Sequence, residues 1–131
     1  MLSKNAYKLV RDEWQKIKPK IESLFIEQWN DPELPCLEIN SSARLSNWLE
    51  QNNFVVTRSP HRIPTAFIAN SKTNNKDLPN IGIIAEFDAL PSLDNDSSYK
   101  FKKTGKIAGH GCGHNHIGPA NVGSAIAAKN A

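Results

Sequence analysis

Near the amino terminus, apolar positions recur with the period of a helix. Val10, Trp14, Ile17, Ile21 and Leu24 are spaced 4, 3, 4 and 3 apart, with Phe25 widening the stripe. This spacing predicts an amphipathic helix from Lys4 to about Asn30. The stripe is too short for a coiled coil and suits a helix packed on a domain face. Pro19 lies inside it, where the missing N–H and the ring clash predict a kink or a division into two helices. Asp31-Pro32-Glu33-Leu34-Pro35 then imposes an extended or turned connection. A second helix is expected from Ser41 to Gln51, capped by Asn40 or Ser41. Its apolar face is Leu45, Trp48 and Leu49, and Asn52-Asn53 ends it.

The pattern then shortens. Phe54-Val55-Val56-Thr57 and Thr65-Ala66-Phe67-Ile68-Ala69 read as strands, and Ser71 to Pro79 as a polar turn. Ile81 to Phe87 is almost continuously apolar, the composition of a strand buried on both faces. Ser92 to Thr104 reads as a polar loop in which Asp94 and Asp96 are simply solvated. A last helix is expected from Pro119 to Lys129, opened by Gly118-Pro119 with proline in the first turn. Helix, helix, three strands, loop and helix in that order suggest an α/β sandwich. A site would then sit in loops at the carboxyl ends of its strands.

Composition narrows the classes. The 131 residues are enough for one core, and 39% hydrophobic with 22% charged residues suits a soluble globular chain. The net charge of +3 is modest, and the cluster Lys100, Lys102, Lys103 and Lys106 reads as a solvated loop rather than a nucleic-acid footprint. No segment resembles a signal peptide and no window approaches the ~18 apolar residues of a membrane span, so the expectation is a cytoplasmic protein without membrane contact. Cys36 and Cys112 do not make a disulfide framework. Cys36 reads as a buried or loop thiol, while Cys112 is left free to bind a metal.

Gly109-His110-Gly111-Cys112-Gly113-His114-Asn115-His116 gathers three of the four histidines and one of the two cysteines. In an extended backbone the four at 110, 112, 114 and 116 point to one side, and the intervening glycines let the chain bend around something small. Thiolate with imidazole suits zinc and other late divalent metals. Glu86 and Asp88 close the apolar run and can face the same crevice. Asp88 either caps the turn at Ala89-Leu90-Pro91 or orients a metal-binding imidazole. Glu86 is either solvent-facing at the strand tip or part of the site. His61, between Pro60 and Arg62, has no ligand type near it.

Three segments together resemble the zinc-dependent aminoacylase and carboxypeptidase superfamily, in its amidohydrolase branch of aminobenzoyl-glutamate hydrolases and N-acyl amino acid amidohydrolases. They are Asp31-Pro32-Glu33-Leu34 through Glu38 and Leu45 to Val55; Pro64-Thr65-Ala66-Phe67 with Ala85-Glu86-Phe87-Asp88-Ala89-Leu90-Pro91; and Gly109 to Asn115. The resemblance implies a three-layer αβα sandwich of the zinc-peptidase type. It implies a pair of divalent metals (zinc or manganese, with cobalt or nickel as alternatives), and Cys112 and His114 as ligands. It places His110 beside the site as an orienting residue, with Asp88 and Glu86 in supporting positions, and gives His116 no ligand role. The implied substrates are N-acyl amino acids, aminobenzoyl-glutamate or dipeptides, and the complete protein is a candidate homodimer.

Members of that branch are longer. They carry a catalytic glutamate and further ligands after the cysteine, then a lid or dimerisation domain, whereas no acidic residue follows the signature here. Residues 1–131 are thus expected to be the amino-terminal portion of the metal-binding catalytic domain, with no catalytic residue of their own and the general-base glutamate beyond Ala131. The alternative is an inactive remnant, or one half of a split protein, acting as a metal-binding module. A structural zinc module fits less well, because no second Cys/His pair stands at finger spacing.

Overall fold

The computed structural model describes residues 4–71, 79–94 and 96–131. Helix α1 (Lys4–Asn30) is followed by α2 (Ile39–Gln51), the antiparallel pair β1 (Phe54–Arg58) and β2 (Phe67–Ser71), the short antiparallel pair β3 (Leu90–Pro91) and β4 (Ala108–Gly109), and α3 (His114–Asn130). In β1–β2, Phe54 stands opposite Ser71 and Arg58 opposite Phe67; in β3–β4, Leu90 faces Gly109. The turn expected from Ser71 to Pro79 lies almost wholly outside the described residues. Among those described, no helix is long and apolar enough to cross a membrane.

The core forms where the three helices meet. Ile21 and Leu24 of α1, Leu45, Trp48 and Leu49 of α2, and Val122 and Ile126 of α3 are buried together. Phe54, Val56, Phe67 and Phe87 close it from the sheet side. Each such side chain contributes roughly 1.5–3 kcal/mol of burial. This packing explains why α1 is one helix and is not divided at Pro19. Pro19 is exposed, so the carbonyl it leaves without a donor faces water, while Ile17, Ile21 and Leu24 hold both halves on the same core.

The strand expected from Thr65 to Ala69 begins two residues later, as β2, and three further expectations are corrected. First, α2 begins at Ile39 rather than Ser41, and neither Asn40 nor Ser41 caps it. Its cap residue, Glu38, makes no side-chain cap bond, because its buried carboxylate accepts from Thr65 Oγ1. The donors of the first turn go instead to Glu33, whose Oε1 accepts from Asn40 N–H (2.9 Å) and Oε2 from Ser41 N–H (2.7 Å).

Second, α3 begins at His114, five residues before the proline expected to open it. Pro119 is inside the helix and fully buried, so the loss of one helical bond is offset by packing. Third, Ile81 to Phe87 is not a doubly buried strand. It pairs with no other strand among the described residues, and Ile81 and Ile84 are 85% and 86% exposed. An apolar run encodes a need for cover on two faces, and here only its Phe87 end finds it, stacked on Phe67 at 5.8 Å between ring centroids.

Candidate metal centre

The end of the apolar run is fixed against α3. Asn121 Nδ2 donates to the Ile84 carbonyl (2.6 Å). One turn after His114, Gly118 lets the run come close: a Cβ there would sit 3.1 Å from Phe87 Cβ and 3.3 Å from the Glu86 carbonyl oxygen. Glu86 and Asp88 are therefore carried past the amino-terminal turn of α3, where His114 is the first helical residue. His114 Nδ1 lies 2.8 Å from Asp88 Oδ1, and its Nε2 lies 3.2 Å from Glu86 Oε2. The imidazole and Asp88 are largely enclosed, while Glu86 is open to solvent.

The electronics of this group are specific. With Nδ1–H donating to Asp88, the Nε2 lone pair is directed at the Glu86 carboxylate. Two electron-rich atoms at that distance repel unless a proton or a cation lies between them. The separation of 3.2 Å is close to the ~3.3 Å between two donors bound at 2.0–2.1 Å to one tetrahedral ion. A carboxylate holding the far nitrogen of a ligand histidine is also how proteins orient such imidazoles. A proton between them satisfies that spacing, and so would a divalent cation taking His114 and Glu86 as a pair of donors. Among the described residues, no three histidine, cysteine, aspartate or glutamate side chains converge as a metal-holding group. Cys112, two residues before His114, presents an exposed thiol.

The strict alternation from 110 to 116 does not survive as a shared face. Helix α3 starts at His114, and two residues on a helix are about 200° apart. His116 therefore turns away from His114 and meets Phe25 edge-on, with ring centroids 6.2 Å apart. His110 is buried, and its Nε2–H donates to the Gln28 carbonyl (3.1 Å), which leaves Nδ1 as an unpartnered acceptor. Burial holds its pKa below the ordinary imidazole range, against a smaller opposing effect of that hydrogen bond.

His61 and Cys36 stand apart in turns with positive φ, both exposed. Asp94 is not simply solvated: it gathers its loop by accepting from the N–H groups of Thr104 and Gly105, both at 2.7 Å, and from the Thr104 hydroxyl. The Thr104 side chain is the main cause of its lowered pKa. Asp96 likewise accepts from Ser98 N–H (2.9 Å).

Two contributors escaped the sequence reading. Gln28 anchors His110 through its backbone carbonyl, which no side-chain pattern marks. Glu33 caps a helix from seven and eight residues away, outside the three-residue reach of a capping box.

Gly109 is tied to its position by contact rather than by backbone conformation. A Cβ there would run into the Leu93 carbonyl oxygen and lie 2.8 Å from its carbon, both backbone atoms. Gly109→Ala must therefore open the β3–β4 pairing. We expect a loss of roughly 1–3 kcal/mol, read as a lower urea midpoint, together with shifted amide resonances from His110 to His114. Unchanged stability and an unmoved loop would show that Leu93 does not confine position 109.

No family model matches the chain. Over 125 residues it is 33% identical to one of the subunits of p-aminobenzoyl-glutamate hydrolase from Escherichia coli (strain K12), a match that takes in 94% of this chain and 25% of the relative. The chain is a distant relative of that hydrolase subunit. It spans about a quarter of the relative's length. The aminobenzoyl-glutamate hydrolase part of the resemblance is thereby supported.

Proposed function

We propose that the chain supplies part of a metal-dependent amide-hydrolysing site acting on p-aminobenzoyl-glutamate or a related N-acyl amino acid. The observation that carries this reading is His114, held by Asp88 at 2.8 Å on one nitrogen and facing Glu86 at 3.2 Å on the other. It is joined by the similarity to a hydrolase subunit. His114 and Cys112 are the ligands in this reading, Asp88 fixes the imidazole's tautomer, and Glu86 lies close enough to share the cation. The three-layer sandwich belongs to the same proposal, with the helical core and the 81–87 run as part of it.

Lewis acidity from a bound divalent ion polarises an amide carbonyl and acidifies water. This chain's residues orient and hold. Asp88 keeps the proton on Nδ1, so that Nε2 offers its lone pair. The exposed Cys112 thiol must ionise to act as a donor. Cys112 and His114 are two donors, fewer than the three protein ligands of a catalytic zinc site. The relative is named as a subunit, and we take that as support for a protein partner here.

Cobalt(II) titration tests the reading. The expected result is a thiolate-to-cobalt absorption band that disappears in Cys112→Ala. The zinc- or manganese-loaded 131-residue chain should not turn over p-aminobenzoyl-glutamate, since two convincing donors fall short of the three protein ligands a catalytic zinc site takes. A band that persists in Cys112→Ala, or turnover by the chain alone, would overturn the assignment.

A further inference from the structure

Four hydrogen bonds connect the start of α2 to His114, and Glu33 makes three of them. Its carboxylate accepts from Asn40 N–H (2.9 Å) and Ser41 N–H (2.7 Å), and its own carbonyl accepts from Ala89 N–H (2.7 Å). Ala89 is 0% exposed, so no water can replace that carbonyl, and the residue before it is Asp88. Asp88 Oδ1 in turn accepts from His114 Nδ1–H at 2.8 Å.

We propose that Glu33 is a positioning residue for His114: by joining the amino-terminal turn of α2 to Ala89, it fixes where the Asp88 carboxylate stands and so which imidazole nitrogen keeps its proton. This rests on reading His114 as a ligand through Nε2.

The residue type follows from the task. A helix start presents N–H groups without internal partners and a partial positive charge. A carboxylate satisfies two of those donors at once and is favoured there electrostatically. No other side chain replaces it, because the cap residue Glu38 is committed to Thr65. Asp31 reinforces the same connection, accepting from Arg44 Nη2 (2.7 Å) and Asn40 Nδ2 (3.1 Å). The segment from Asp31 to Glu33 is therefore clamped at both ends to α2, and Ala89 hangs from it. Without the carboxylate, the Glu33 backbone is free to shift, and the Asp88–His114 bond shifts with it.

The experiment reads the tautomer of His114 in the metal-free chain. Long-range ¹H–¹⁵N spectra are recorded at about pH 9, well above the ordinary imidazole range. They cover the unaltered chain and the Glu33→Ala, Glu33→Gln and Asp88→Asn variants, with circular dichroism to confirm that each is folded. The unaltered chain should show one predominant form, protonated at Nδ1. In Glu33→Ala the two ring-nitrogen shifts should move toward each other as the tautomers mix. Glu33→Gln, which keeps one acceptor, should move them less, and Asp88→Asn should displace them most.

A His114 signal that moves in Asp88→Asn but stays in place in both Glu33 variants would overturn the proposal. If Glu33→Ala does not fold, an unmoved signal in Glu33→Gln would do so alone. Because no metal is present, this outcome is independent of whether Cys112 and His114 bind one.

Discussion

His114→Ala is expected to lower the chain's affinity for zinc by more than ~100-fold, beyond the 10–100-fold typical when only an orienting partner is removed. His114 offers an enclosed imidazole held against Asp88, whereas Glu86 is mostly exposed and cannot hold a cation alone. Asp88→Asn keeps the shape of the carboxylate but not its charge, so its loss should fall within that 10–100-fold range. His61→Ala is the control, since His61 lies in the turn between β1 and β2. Elemental analysis after dialysis against graded zinc concentrations measures all three. Equal stoichiometry in His114→Ala and the unaltered chain would remove His114 from the ligand set. A comparable loss in His61→Ala would reveal a ligand unrelated to the signature.

The second large effect is on stability. Leu24→Ala should destabilise the fold by about 2–5 kcal/mol, the cost of truncating a fully enclosed leucine whose neighbours cannot collapse into the gap. Leu24 is 1% exposed where α1 meets the other two helices. The total for a domain of this kind is only about 5–15 kcal/mol, so this one change removes a large share. Ile26→Ala, two residues along and 52% exposed, should stay within about 0.5 kcal/mol. Urea unfolding followed by circular dichroism separates the two. An equal cost at both positions would mean that the three-helix core is not the centre of stability.

What could be read from sequence was what the chain encodes locally. The stripe from Trp14 to Leu24 specifies α1 because helical period and burial coincide there, while Val10 at its start stays exposed. Phe54 and Phe67 mark β1 and β2 through short runs rich in β-branched and aromatic residues. The failures share one cause, dependence on something far along the chain. Gly118-Pro119 looks like a helix start, yet α3 accommodates that proline because its flank is packed against the core. His116 seemed to share a face with His114 only under the assumption of extended backbone. Asp88 and His114 are 26 residues apart; their types suggested chemistry, but contacts made elsewhere, at Asn121, Gly118 and Ala89, put them together. Glu33 had no local signal, since its partners belong to a helix that begins six residues later.

The uncovered isoleucines that lead to Glu86 carry a cost of their own. Ile81-Gly82-Ile83-Ile84-Ala85 is uncharged, proline-free and rich in β-branched residues, and its backbone pairs with no strand among the described residues. Segments of this composition, when left open, are templates for stacking with identical copies into fibrillar sheets. The residues that lead into Glu86 and Asp88 are thus also an aggregation hazard. A polypeptide laid along this edge would shield the chain from polymerising, so the segment that brings Glu86 and Asp88 to His114 is also the one on which solubility depends.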